Sequence, residues 1–195
     1  MNRAADVAIA GAGLAVTSPL LALAALAIKL EDRGPIIYRQ TRVGRNGVDF
    51  DVLKLRTMVI GAETMGAGFA VDQGDRRITR VGRVLRRTSI DELPQLWNIL
   101  RGDMSVIGPR PTLRYQVEQY DEQQRRRLEV RPGLTGWAQV HGRASLPWAE
   151  RIQLDVEYVE HRSPKLDLEI LLRTPLALFR GTYRGATGGW RDKTS

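Results

Sequence analysis

The apolar residues of the chain form one long N-terminal run and several shorter, patterned segments. Residues 7–28 contain 22 consecutive positions without a charge. As a straight helix this run would be about 33 Å long, enough to cross the hydrocarbon core of a bilayer. Pro19 predicts a kink near its centre, and the hydroxyls of Thr17 and Ser18 can occupy the carbonyls that the kink frees. A cleaved signal peptide, a spanning helix and a segment that returns to the same membrane face all remain open.

Alternation of apolar and polar residues predicts a two-stranded hairpin after this run. Segments 36–43 and 48–55 flank a turn at Arg45-Asn46-Gly47. Asn-Gly between two such segments is typical of a hairpin turn. We therefore expect the second strand to end near Leu55.

Helical spacing dominates the rest of the chain. Ile78, Val81 and Leu85 share one face of a predicted helix, and four arginines share the opposite face: Arg76, Arg80, Arg83 and Arg87. A second helix should start near Asp91, and a third should cover residues 112–128. Segment 148–158 fits either a helix or a strand, and we favour the helix. The apolar segment 170–179 predicts a last helix in the membrane interface.

Composition narrows the function classes. A chain of 195 residues is long enough for one modest domain. The net charge is +8, and 26 of the 30 basic residues are arginines, which favours bidentate recognition of phosphate or carboxylate. The absence of cysteine excludes disulfides, thiolate metal sites and a cysteine nucleophile. Two histidines make a histidine-rich zinc site improbable.

Two adjacent carboxylates, Asp91 and Glu92, stand at a predicted helix start. Pro94 is acceptable only in the first turn of a helix, which places the helix N-cap near Ile90 or Asp91. The helix dipole should then keep both carboxylates ionised at neutral pH. Ser89-x-x-Glu92 also matches a capping box, in which neither acid would have chemistry to perform. Neighbouring helix residues point about 100° apart, so one acid could react while the other orients it.

Basic residues beside turns surround this pair along the sequence. Pro109 and Pro111 restrict the backbone on both sides of Arg110. Two further basic segments, 54–58 and 131–143, also combine arginines with turns or stiff backbone. Their recurrence around a carboxylate pair indicates an anionic ligand, and a diphosphate fits best.

These segments resemble the bacterial sugar transferase family, the monotopic polyprenyl-phosphate phosphoglycosyl transferases. The resemblance covers nearly the whole chain in order. Its main segments are Ser18-Pro19, Pro35-Ile36-Ile37-Tyr38-Arg39-Gln40, Lys54-x-Arg56-Thr57-Met58, Thr88-Ser89-Ile90-Asp91-Glu92-Leu93-Pro94-Gln95, Gly108-Pro109-Arg110-Pro111 and Pro132-Gly133-Leu134-Thr135-Gly136-Trp137. The chain departs from the family at Leu55, where phenylalanine is usual, and at His141, where asparagine is common. The additional N-terminal helices and nucleotide-fold domain of the large members have no counterpart here, so the chain resembles the minimal catalytic form.

The resemblance implies transfer of a sugar 1-phosphate from a UDP-sugar to polyprenyl (undecaprenyl) phosphate, with release of UMP. Asp91 would be the nucleophile that forms a phosphosugar-aspartyl intermediate, and Glu92 would position it. Mg²⁺ would bridge the Asp91 carboxylate and the diphosphate. The substrate phosphates would bind a set of basic residues: Lys54, Arg56, Arg86, Arg110 and Arg143.

The expected fold is mainly α with a small β-hairpin, an α+β arrangement. Residues 1–30 would form a re-entrant membrane helix broken at Ser18 and Pro19, residues 31–184 a compact cytoplasmic domain with interfacial amphipathic helices, and residues 185–195 a disordered tail. The protein would lie on the cytoplasmic face of the bacterial inner membrane. Its partners would be the UDP-sugar, polyprenyl phosphate, membrane lipid and a second copy in a homodimer, without nucleic acid.

A different class of function also accounts for the charge. A membrane-tethered basic module would bind nucleic acid or anionic lipid without catalysis, through the arginine face of the helix near residue 80. Its binding should depend steeply on salt and should be indifferent to Asp91→Asn.

Overall fold

A computed structural model describes residues 1–65, 74–142 and 145–179. The first element is helix α1 (Arg3–Asp32). Asn2 caps its start by accepting a hydrogen bond from the Ala4 N–H at 2.9 Å. The helix ends at Arg33, where the backbone enters the left-handed region with φ 58°. Within the described residues, α1 is the one helix that is long and apolar enough to cross a membrane.

Helix α1 continues through Pro19, so the break expected at Ser18 and Pro19 is absent from the helix. Pro19 has no N–H for the Ala15 carbonyl, and the Ser18 hydroxyl donates to that oxygen instead, at 2.9 Å. The Thr17 hydroxyl donates to the Gly13 carbonyl at 2.6 Å. The Ser18 bond confirms the predicted role of its hydroxyl and helps to explain how the helix tolerates a proline. The Gly13 carbonyl that Thr17 contacts is not one that Pro19 frees, so the predicted role of Thr17 is not confirmed. The re-entrant path itself stays a prediction.

The predicted hairpin is confirmed. Strands β1 (Ile37–Val43) and β2 (Asp49–Leu55) pair antiparallel, with Ile37 opposite Leu55. The turn between them is the short 3-10 segment Arg45–Gly47, in which Asn46 has φ 56° and Gly47 has φ 79°. These positive φ values are the reason for Asn-Gly at this point.

The basic helix is also confirmed, as α2 (Arg80–Thr88). A single 3-10 turn (Ile90–Glu92) follows it, and helix α3 (Gln95–Arg101) begins after Pro94. The regular helix therefore starts a few residues later than predicted. Pro94 lacks the N–H that would continue a hydrogen-bonded helix from Asp91, so the acids lie in a tight turn before it.

The long helix predicted for residues 112–128 is wrong. Two short helices, α4 (Arg114–Val117) and α5 (Glu122–Arg125), are followed by a 3-10 turn (Arg126–Leu128). Asp121 has an extended backbone, and its side chain accepts a hydrogen bond from the Gln124 N–H at 2.8 Å. This N-cap starts a new helix where the periodicity alone indicated continuation.

A second small sheet was not predicted. Strands β3 (Ser105–Ile107) and β4 (Gly133–Thr135) pair in parallel, with Ser105 opposite Gly133. A Cβ at Gly133 would lie 2.1 Å from the Gly108 nitrogen. The glycines of these two segments therefore permit close backbone contact between chain regions that are distant in sequence.

Three helices complete the described chain: α6 (Trp137–His141), α7 (Trp148–Glu160) and α8 (Pro164–Phe179). The helical interpretation of segments 148–158 and 170–179 is confirmed. Leu168, Leu172 and Leu176 are exposed on one face of α8, while its location in a membrane interface stays a prediction. The tail 185–195 lies outside the described residues.

Both ends of α1 pack against the rest of the protein. Near its start, Ala10 joins a core that includes Ile99 and Met104. Near its end, Ala24 and Ile28 pack with further apolar residues, among them Leu55 and Leu85. The middle and the outer face stay largely exposed, at Val16, Leu20, Leu23, Leu26 and Leu30.

Polar contacts reinforce the N-terminal attachment. The Arg3 guanidinium donates to the Ile99 and Leu100 carbonyls at the end of α3. The Asp6 carboxylate, buried with 1% exposure, accepts hydrogen bonds from the Ser105 hydroxyl at 2.8 Å and the Val106 N–H at 2.9 Å. Helix α1 is therefore built into the domain, which a cleaved signal peptide would not be.

Candidate active site

The carboxylate pair lies in the turn that connects α2 to α3. Ser89 ends α2 with φ 57°, and its side chain makes no capping hydrogen bond to the turn. The Glu92 side chain does not reach back to the Ser89 backbone but points to two basic residues. The capping-box interpretation of Ser89 and Glu92 is therefore wrong, and Glu92 is available for a role in the site.

Glu92 is held by two cations from distant parts of the sequence. Its Oε1 atom lies 2.9 Å from Lys54 Nζ and 2.5 Å from Arg110 Nη2. Burial alone would raise the pKa of Glu92, but Arg110 and Lys54 hold that pKa well below its usual value. Glu92 is thus ionised at neutral pH, and its charge is compensated.

Asp91 has a contrasting environment. Its side chain is 8% exposed, and within the described residues it makes no hydrogen bond or ion pair. Burial, assisted by the adjacent Glu92 charge, raises the pKa of Asp91 to about 6 against the opposing effect of Lys54, Arg86 and Arg110. We expected both acids to be ionised through the helix dipole. At neutral pH Asp91 is still mostly ionised, but the margin is narrow because its side chain is buried. The sequence pattern did not reveal this burial.

The neighbouring elements are tied together so that these groups meet. The buried Asn98 of α3 accepts a hydrogen bond from the Leu53 N–H at 3.0 Å and donates to the Asp51 carbonyl at 2.7 Å. This bridge fixes strand β2 beside α3 and brings the next residue, Lys54, to Glu92. Because α3 follows the acidic turn directly, the Asn98 side chain helps to set the distance between Lys54 and Glu92.

Arg86 enters from α2. The Arg86 Nε atom donates to the Thr57 hydroxyl at 2.7 Å. Helix α2 can approach Thr57 closely because Gly82 has no side chain. A Cβ at Gly82 would lie 2.1 Å from the Thr57 carbonyl oxygen. Arg86 lowers the pKa of Asp91, so the structure brings together Asp91, Glu92, Lys54, Arg86 and Arg110.

Arg56 is directed elsewhere. Its guanidinium forms a two-point salt bridge with Asp32 at the end of α1 and donates to the Pro35 carbonyl. These contacts attach α1 to the hairpin and indicate a structural role, whereas phosphate binding by Arg56 stays a prediction. Arg143 lies outside the described residues.

Comparison with known proteins places the chain in a family. A family model described as bacterial sugar transferase matches residues 1–181. The chain belongs to the bacterial sugar transferase family. The resemblance drawn from the motifs is therefore confirmed over nearly the whole chain, while the roles of the individual site residues stay predictions.

Similar proteins have named activities. The chain is 48% identical over 181 residues to the UDP-glucose:undecaprenyl-phosphate glucose-1-phosphate transferase of Caulobacter vibrioides, covering 89% of this chain and 67% of that relative. It is 41% identical over 198 residues to the exopolysaccharide production protein ExoY of Rhizobium meliloti, covering 93% and 88%. It is 41% identical to the UDP-glucose:undecaprenyl-phosphate glucose-1-phosphate transferase of Escherichia coli, with 93% of this chain and 40% of that relative covered.

The structure of this bacterial sugar transferase also reveals a buried support that the sequence did not indicate. Arg127, 4% exposed, forms a salt bridge with Asp155 and donates to the Tyr120 hydroxyl. Its Nη2 atom also donates to the Arg110 carbonyl at 2.9 Å. Arg127 therefore fixes the backbone of a residue that contacts Glu92. The flanking prolines predicted a rigid Arg110, but no local pattern pointed to Arg127 and Asp155, which meet only through the tertiary fold.

Metal binding would depend on the two acids. Among the described residues no group of three or more histidine, aspartate or glutamate side chains could hold a metal ion. Mg²⁺ is commonly bound by one or two carboxylates together with substrate phosphates. Asp91, which has no partner in the described part of the chain, and the adjacent Glu92 are a donor set of that kind.

Proposed function

We propose that this protein transfers a sugar 1-phosphate from a UDP-sugar to polyprenyl phosphate and releases UMP. Membership of the bacterial sugar transferase family supports this proposal, as do relatives named for this reaction at 41% and 48% identity. Relatives named for exopolysaccharide production support a role in the first membrane step of a surface glycan.

One observation carries the mechanism: Glu92 holds Lys54 and Arg110, while the buried Asp91 carboxylate has no hydrogen-bond or ion-pair partner among the described residues. An ionised carboxylate that is poorly solvated and not neutralised by a direct ion pair is a suitable nucleophile toward phosphorus. In the first step an Asp91 oxygen forms a bond to the β-phosphorus. The bond between that phosphorus and the bridging oxygen breaks, and the electron pair leaves with UMP.

The second step restores the enzyme. A phosphate oxygen of the polyprenyl phosphate forms a bond to the phosphorus of the phosphosugar-aspartyl intermediate. The bond from phosphorus to the Asp91 oxygen breaks, and the carboxylate returns to its ionised form. The products are UMP and a polyprenyl diphosphate sugar, so atoms and charge balance over the two steps.

The basic residues lower the electrostatic cost of both steps. Phosphoryl transfer depends mainly on positioning and on charge neutralisation. Lys54 and Arg110 are fixed by Glu92, and Arg86 is held by Thr57, so all three side chains are oriented before substrate binds. Asp91, assisted by Glu92, would hold Mg²⁺, which supplies further positive charge to the diphosphate when bound.

The packing of α1 supports a monotopic attachment, and we propose the cytoplasmic face because UDP-sugars are made there. Ala10 and Ile28 are 18 residues apart, about 27 Å along a helix, close to the thickness of the hydrocarbon core. Both nevertheless pack against the same domain. A spanning helix would place its two ends at opposite membrane surfaces, whereas a segment with both ends on one surface is compatible with these contacts.

Turnover of a substrate panel tests the proposed function. Purified protein in nanodiscs is supplied with Mg²⁺, undecaprenyl phosphate and individual UDP-sugars, and both UMP and the lipid product are measured. We expect both products in equal amounts with a subset of the sugars, and neither with Asp91→Asn. Glu118→Gln, which removes an exposed carboxylate outside the site, is the matched control and should retain turnover. Lack of both products across the whole panel would contradict the proposed function.

A further inference from the structure

Strand β1 presents a row of polar side chains toward the active site. Tyr38, Gln40 and Arg42 alternate along the strand, are half-buried and share one face of the hairpin, while Arg39 and Thr41 between them are exposed. Lys54 stands opposite Tyr38 in the register and therefore lies on that same face. Because Lys54 contacts Glu92, this face of the hairpin is directed to the carboxylate pair.

Arg42 stands at the other end of the row, beside the Arg110 segment. The next residue, Val43, donates its N–H to the Thr112 carbonyl at 2.9 Å, which joins the end of β1 to the chain just after Arg110. The charges of both Arg110 and Glu92 act on Arg42. Arg42 and Lys54 thus approach the site from two ends of one strand pair.

The hydrogen bonds of Arg42 go to a neutral amide, and Glu92 acts on its charge without direct contact. Its Nε and Nη2 atoms donate to the Gln40 Oε1 atom at 3.1 and 2.5 Å. No carboxylate within residues 1–65, 74–142 and 145–179 forms an ion pair with Arg42. Burial, followed by repulsion from Arg110, lowers the pKa of Arg42 to about 10. A partly buried guanidinium that is oriented by a neutral amide and repelled by another arginine is a site prepared for an anion.

We propose that Arg42, oriented by Gln40, binds a substrate phosphate and forms with Arg110 a second phosphate position in the active site. Gln40 occupies two of the three guanidinium nitrogens, so Nη1 is available to donate to a phosphate oxygen. This inference rests on the proposed function. The reaction offers two phosphates besides the one that is transferred: the α-phosphate that leaves with UMP, and the phosphate of the polyprenyl acceptor.

Steady-state kinetics of matched variants distinguish these two sources. Arg42→Gln removes the charge, while Arg39→Gln makes the same change on the exposed face of the same strand. Loss of a charge-assisted contact to phosphate should raise one KM by roughly 10- to 100-fold. The Tm of Arg42→Gln should equal that of the Arg39→Gln control. A higher KM for the UDP-sugar assigns Arg42 to the α-phosphate, and a higher KM for polyprenyl phosphate assigns it to the acceptor. A fall in kcat alone, or two unchanged KM values, would overturn the proposal.

A binding measurement separates this inference from the proposed function. Inorganic pyrophosphate at millimolar concentration should raise the Tm of the wild-type protein and of Arg39→Gln, and should do so much less for Arg42→Gln. This result would support the phosphate position even if no UDP-sugar were turned over. Equal shifts in all three proteins, or no shift in the wild type, would refute it while leaving the transferase reaction to its own test.

Discussion

Replacing Asp91, the proposed nucleophile, should make the protein more stable. The pKa of Asp91 is about 6 in the folded protein and 3.8 as the ordinary value, a difference of about two pH units. At 1.36 kcal/mol per unit, ionised Asp91 costs the fold about 3 kcal/mol at neutral pH. The cost is absent below pH 3.8, develops as the pH rises toward about 6, and is constant above that value. Asp91→Asn removes the charge at similar volume and should recover most of this free energy.

The assay is thermal unfolding in nanodiscs as a function of pH. For a domain of this size the gain corresponds to a Tm increase of roughly 6 °C at neutral pH. The increase should shrink toward zero near pH 4, because Asp91 is then protonated in the folded wild type. Glu118→Gln, which removes an exposed carboxylate without a described side-chain partner, should show no such pH-dependent difference. A lower Tm for Asp91→Asn at neutral pH would refute the claim that Asp91 is held at an energetic cost.

Three further predictions address pH, Arg56 and membrane topology. UMP formation should fall about tenfold per pH unit below the Asp91 pKa of about 6 and stay level above neutral pH; a level rate down to pH 5 would contradict an ionised Asp91 nucleophile. Arg56→Gln should lower the Tm by several degrees, because the Asp32 salt bridge and carbonyl contacts are lost, without raising the KM for the UDP-sugar; a raised KM at unchanged Tm would restore the phosphate-binding role. Single cysteines at Ala4 and Glu118, in a chain with no natural cysteine, should both resist a membrane-impermeant reagent in intact cells; labelling of Ala4→Cys alone would indicate a spanning helix.

Local chemistry explains which elements could be predicted from the sequence. The hairpin depended on Asn46 and Gly47, whose positive φ values are preferences of the residues themselves. Helices α2 and α7 followed from periodicity, and α8 followed from an apolar segment. The interruption at Asp121 was missed because an N-cap in the middle of an amphipathic pattern competes with continuation of the helix. The β3 and β4 pair was missed because three-residue strands have no detectable alternation and are paired by distant contacts.

The candidate site was predictable in its members and not in its arrangement. The motifs identified Asp91, Glu92, Lys54 and Arg110, and the fold brings these four together. The sequence did not show that Glu92 would hold both cations while Asp91 makes no hydrogen bond or ion pair within residues 1–65, 74–142 and 145–179. That division depends on burial and on the bridge that Asn98 makes between α3 and β2.

Arginines near turns were the least predictable group. Arg56 forms a structural salt bridge with Asp32, while Arg42, which the sequence motifs did not single out, hydrogen-bonds to Gln40 and is proposed to bind phosphate. Both lie within or directly after the hairpin, and both are surrounded by similar residue types. Their partners are set by the direction of each side chain from the strand. The alternation that places Arg42 and Lys54 on one face of the hairpin is visible in the sequence. The sequence does not show which face of the hairpin is directed to Glu92.

The most direct test of the central claim is a pre-steady-state measurement of UMP in the absence of polyprenyl phosphate. Protein is mixed with Mg²⁺ and a UDP-sugar that supports turnover, and UMP is quantified per enzyme molecule. The two-step mechanism predicts a burst that approaches one UMP per active enzyme in the wild type and in Glu118→Gln, and no burst in Asp91→Asn. If UMP is released only when polyprenyl phosphate is present, the covalent intermediate is contradicted. A full burst in Asp91→Asn would exclude Asp91 as the nucleophile.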